Sequence, residues 1–223
     1  MDVYTAIVGF FQQGGVFMYP IVIVLVLGGA IAIERYVYLS AAGVSNRKLW
    51  QQLMPMVKSG DYAAAMDLAG RSKVAIGNIL AYGLSRLGTA RRRDDIEKAM
   101  EESLLETLPR IEKRTHYLAT FANIATLLGL LGTIIGLIKA FTAVAAANPA
   151  EKADMLSASI SVAMNTTAFG LMVAIPLLLA HTVLQSKTTE IVDSLEMAAV
   201  KFLNAVTDPA RPPRAGASRL RRA

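Results

Sequence analysis

The chain has no cysteine among its 223 residues, which excludes disulfides and thiolate metal sites. Its two histidines, His116 and His181, lie too far apart in sequence to suggest a metal pair. Acidic groups are missing where they would matter most. Residues 117–147 and 155–180 are strongly apolar and contain no Asp, Glu or His. An ionisable residue inside a membrane is costly and usually functional, so this chain alone carries no proton relay. Basic residues are scarce in one region too: between 117 and 156 only Lys139 and Lys152 occur, although the chain has 23 Lys and Arg. The positive-inside rule then predicts an N-terminus outside, with residues 40–115 and the C-terminal tail inside. A third absence is that of an inverted repeat or of broken apolar helices, which disfavours a solute transporter.

What is present describes a membrane protein. The chain is 54% hydrophobic with a mean hydropathy of +0.43, yet 18% is charged and the charges are segregated from the apolar runs. The net charge of +6 falls beside apolar helices. Topology and anionic lipid headgroups account for it without nucleic acid. In order, residues 1–15 predict a short periplasmic, interfacial N-terminus, with Phe10 and Phe11 as membrane-surface residues. Residues 16–39 predict a first transmembrane helix, closed by Glu34-Arg35 and a belt of Tyr36 and Tyr38. A cleaved signal peptide, with 40–42 as cleavage site, is the alternative. It conflicts with the missing n-region Lys or Arg and with the length of the apolar run.

Residues 40–116 predict a cytoplasmic helical region. Gly60-Asp61 reads as a turn entering a helix, and 74–87 as another helix closed by Gly88. From Asp94, read as an N-cap, Ile96, Met100, Leu104, Leu108 and Ile111 recur at helical spacing opposite Glu97, Lys98, Glu101, Glu102 and Glu106. No His, Ser or Lys constellation accompanies those glutamates, so a solvated salt-bridged face is expected rather than catalysis. This helix is expected to run on into a second span at 117–147. A periplasmic loop at 148–156, a third span at 157–186, a cytoplasmic helix at 187–206 and a disordered basic tail at 207–223 complete the prediction.

Spans two and three carry small and hydroxyl residues where a lipid-facing helix carries bulk. Asn123, Thr126, Gly129, Thr133, Gly136 and Ala140 share one stripe; Ser159, Ala163, Thr166, Thr167, Gly170 and Ala174 share another. Small residues permit close helix approach, and hydroxyls bond across it. Thr126, Thr133, Thr166 and Thr167 can coordinate an ion or hydrogen-bond a carboxylate, but store no proton at physiological pH. The alternative is that they bond only to their own backbone. If ions cross, a partner must bring the carboxylate.

With Ala32-Ile33-Glu34-Arg35 closing the first span, the Gly60-Asp61 lobe, GLLGTIIGLIKAF at 129–141 and TTAFGLMVAIP at 166–176, the chain resembles the MotA/TolQ/ExbB proton-channel family. Three spans place it nearest the ExbB/TolQ branch. The resemblance implies an all-α membrane protein with long cytoplasmic helical extensions, assembled as a pentamer. It implies a single-span, ExbD- or TolR-like partner bearing a membrane aspartate, and a TonB-like protein beyond it. Thr133 and Thr167 match the family's pore threonines, with Thr126 and Thr166 in the same lining. Gly129, Gly132, Gly136, Gly170 and Asn165 are expected to pack helices. No cofactor and no catalysis are implied, only translocated H⁺ or Na⁺. Two departures stand out: Val162 where many relatives carry glutamate, and Thr126 where proline is common. A motility or adhesion motor of the same type and a non-conducting scaffold are the rival readings.

Overall fold

The computed structural model describes residues 9–11, 14–88, 92–146 and 148–207. The expected tail beyond Thr207 and most of the expected interfacial N-terminus lie outside these residues. The described residues are mostly helical: α1 (Met18–Ser59), α2 (Tyr62–Arg71), α3 (Ala75–Arg86), α4 (Arg93–Glu112), α5 (Thr115–Ala146) and α6 (Lys152–Thr207). Among them, three helical stretches are long and apolar enough to cross a membrane, and they hold α1, α5 and α6. The 32 residues of α5 span about 48 Å at helical rise, well beyond a bilayer's roughly 30 Å hydrocarbon core. The all-α, three-span expectation is met.

The boundaries differ in three places. The expected continuous helix from Asp94 into the second span is interrupted at 113–114, where Arg114 takes φ +67. A non-glycine residue in this left-handed region ends a helix. Second, α4 begins at Arg93, one residue before the expected cap. Asp95 instead reaches back to accept the Arg92 N–H at 3.1 Å. Third, α6 starts at Lys152, inside the stretch read as loop.

The chain divides into two compact units, Met1–Leu39 with Glu112–Thr188, and Ser40–Ile111 with Thr189–Ala223. The first holds the apolar lengths of α1, α5 and α6. Gly28 of α1 is buried where a methyl group would lie 2.7 Å from Leu177 Cδ2 of α6. At one end Lys187 Nζ sits 3.9 Å from the Tyr36 ring centroid, and the Arg35 guanidinium 4.7 Å from that of Tyr38. Arg114 and Glu34 pair at 3.6 Å, both half-exposed. Such a pair contributes under about 1 kcal/mol in water.

The second unit is a small helical bundle with its own core. Leu53, Val57, Ile79, Leu80, Leu195 and Phe202 are almost fully buried. Asp61 caps α2 by accepting the Ala64 N–H at 3.1 Å, and Gly60 takes φ +83. The expected turn into this helix is therefore present. On α4 the glutamates are exposed, while Ile96, Ala99, Met100, Ser103 and Ile111 are buried. The N-cap of α3, Val74, has no side chain able to accept a hydrogen bond. Asn46 of α1 supplies one: its Oδ1 accepts the Ile76 N–H at 3.1 Å in a buried setting. Asn46→Ala should therefore lower the unfolding midpoint of the detergent-solubilised chain by about 1–2 kcal/mol equivalent. Removal of the exposed Glu101 carboxylate should leave that midpoint unchanged.

Candidate functional site

The site is the seam between α5 and α6. A methyl group on Gly170 would lie 2.6 Å from the Ala125 carbonyl oxygen and 3.1 Å from Gly129 Cα. A methyl on Gly129 would lie 3.2 Å from Thr167 Cα. On Gly136 it would lie 2.9 Å from Ala163 Cβ, and on Gly132 it would overlap the Thr166 methyl. Four glycines thus set the approach of the two backbones. Gly129, Gly132, Gly136 and Gly170, the four glycines expected to pack helices, all lie at this crossing. Asn165 is half-buried on α6.

The small-residue stripe on α6 matches the expected one closely. Ala163, Thr166, Gly170 and Ala174 are buried. On α5 the buried line runs Ala122, Ala125, Gly129, Gly132 and Ala140, with Gly136 half-buried. Asn123 and Thr126 of the expected stripe are exposed, one residue round the helix from Ala122 and Ala125. Packing at the crossing selects side-chain size, whereas the expected line had favoured polarity.

The hydroxyls divide accordingly. Thr133 Oγ1 donates to the Leu130 carbonyl at 2.6 Å and lies 3.1 Å from Thr167 Oγ1. Thr167 Oγ1 in turn reaches across the seam to the Gly129 carbonyl at 2.9 Å. Each hydroxyl has one proton and two lone pairs, and backbone carbonyls can take both protons. Either hydroxyl can instead donate to the other across the 3.1 Å between them, and both residues are half-buried. Thr126 bonds only to its own helix, at the Ala122 carbonyl 3.1 Å away. Thr166 is 2% exposed, and its hydroxyl lies 2.6 Å from the carbonyl of Gly14 and 3.0 Å from that of Val162. The four expected threonines therefore form one facing pair, Thr133 with Thr167, and two residues bonded elsewhere. Sequence reasoning missed the Thr166–Gly14 bond, and the only local signal was the turn-forming Gly14-Gly15 pair.

Lys139 is exposed and His181 half-buried on the apolar helices. Among the described residues, no group of three His, Cys, Asp or Glu is placed to hold a metal ion. The seam thus offers hydroxyl and carbonyl oxygens without a titratable acid.

Gly170→Ala should separate the two helices, because the added methyl meets a backbone carbonyl rather than a flexible side chain. A cost of about 1–3 kcal/mol is expected, read as a lower yield of monodisperse protein in detergent. Gly29→Ala, where nothing lies within 4 Å, should be tolerated.

The model of the MotA/TolQ/ExbB proton channel family matches residues 71–197, more than half of the chain. A biopolymer transport protein ExbB homolog of Methanothermobacter thermautotrophicus is 27% identical over 199 residues, covering 88% of this chain and 69% of its own. An ExbB-like protein of Synechocystis is 27% identical over 176 residues, covering 78% and 83%. The Tol-Pal system protein TolQ of Haemophilus influenzae is 33% identical over 94 residues, covering 42% and 41%. With its three apolar helices and its glycine-lined seam, this multi-pass membrane protein belongs to the MotA/TolQ/ExbB proton channel family, on the ExbB/TolQ branch.

Proposed function

We propose that the chain is the inner-membrane channel subunit of an ion-driven motor that couples the ion-motive force to work at the outer membrane, as import energisation or a Tol-like envelope function. The observation that carries this reading is the Thr133–Thr167 pair, two hydroxyls at hydrogen-bond distance, 3.1 Å apart, in a helix seam without a carboxylate. Threonine hydroxyls can coordinate a cation or hydrogen-bond an acid, but they store no proton at physiological pH. The carboxylate comes from a single-span, ExbD- or TolR-like partner seated against α5 and α6, with a TonB-like protein in the import case. Five copies of this chain surround two copies of that partner. Thr133 and Thr167 line the ion path, and Thr126, exposed one turn-pair before Thr133, extends the line. Asn165 lies in the packing between copies. The N-terminus is periplasmic and the C-terminus cytoplasmic, following the basic residues that flank the spans.

Thr133→Val and Thr167→Val each keep side-chain shape while removing the hydroxyl. Each should abolish energy transduction while leaving the complex intact by native mass determination. Thr133→Ser should retain activity. Full function in both valine variants would sink the pathway. Co-purification that yields a stable oligomer with no aspartate-bearing single-span protein would leave a non-conducting scaffold as the better reading.

A further inference from the structure

Thr166 is the seam threonine whose hydroxyl reaches a segment outside α5 and α6. It meets the segment preceding α1, residues 14–17, which lies against the α5–α6 seam. The Gly14 carbonyl is 2.6 Å from Thr166 Oγ1 in a buried setting. Gly15 takes φ +74, a conformation that favours glycine. A methyl there would lie 3.3 Å from Val162 Cγ1. Phe17 Cβ lies 3.3 Å from where a Gly132 methyl would be. Just before this turn, Phe10 and Phe11 set their rings edge-on to Phe169 of α6, at 6.3 and 6.1 Å between centroids. Three elements of the same unit therefore meet at Thr166, one residue from Thr167.

We propose that Thr166 is a latch. It ties residues 14–17 across the α5–α6 seam, and the tied strap seals the seam against passive ion flow while fixing the rotation of α6 that presents Thr167 to Thr133. The inference rests on the channel reading above and assigns Thr166 as a positioning residue. It also explains Val162. Val162 is half-buried beside the strap, its Cγ1 3.3 Å from where a Gly15 methyl would lie, so a longer carboxylate side chain there would crowd the Gly15 backbone.

The test uses the full chain in liposomes, with decay of an imposed pH gradient read by a pH-sensitive dye. Thr166→Val removes the hydroxyl and should raise the passive proton leak several-fold. Thr166→Ser keeps the hydroxyl and should stay at the wild-type rate. Because the chain has no cysteine, a disulfide can replace the latch. The triple variant F17C/G132C/T166A places two Cβ atoms close to the roughly 3.5–4.5 Å a disulfide needs, and removes the Thr166 methyl that a Gly132 side chain would strike. It should leak when reduced and return to the wild-type rate when oxidised, with loss of maleimide labelling confirming the bond. A wild-type leak in Thr166→Val, an equal leak in Thr166→Ser, or failure of the two cysteines to join would each overturn the latch. Adding Thr133→Val to Thr166→Val separates the two readings. A leak that it leaves untouched sustains the latch and removes the threonine pathway.

Discussion

The approach of α5 to α6 is the constraint on which the apolar unit depends. Inside a bilayer, helices gain nothing from hiding apolar surface, since lipid is as apolar as leucine. Association there relies on close van der Waals packing and on interhelical hydrogen bonds. Gly129 and Gly170 supply the first by leaving no room for even a methyl group between the backbones. Thr167 supplies the second by reaching the Gly129 carbonyl, on the glycine that lets the helices meet. Packing and polarity thus coincide at one level of the seam. The hydroxyl pair exists there because two glycines bring its helices together.

The second unit is built by different physics. Its core residues, from Leu53 to Phe202, are bulky and buried, and its charged residues are exposed. Burial of apolar surface stabilises it in the ordinary way. Its local signals are correspondingly ordinary: an Asp cap on α2, a positive-φ glycine before it, and an asparagine borrowed from α1 to cap α3.

This difference explains what could be read from the sequence. The three spans and the turn at Gly60-Asp61 follow from hydropathy and local turn chemistry. The position of the seam on α6 was legible as well, because small residues there share one face with the hydroxyls. On α5 the small and polar residues lie on adjacent lines. Only the partner helix decides that Ala122 and Ala125 turn inward while Asn123 and Thr126 do not. Pro109 signals a kink in this stretch but lies inside α4, and the break falls five residues on at Arg114, where neither glycine nor proline stands. The Thr166–Gly14 bond joins residues 152 positions apart, beyond any periodic pattern.

The hydrogen bonds at Thr133 and Thr167 have a consequence for how the helix contact responds to pH. The Leu130 carbonyl, the Gly129 carbonyl and the two hydroxyls themselves give both threonines partners within the seam. None of these groups titrates in the physiological range. The tie between α5 and α6 at this level is therefore the same in acid as at neutrality, whatever the charges at the ends of the helices do.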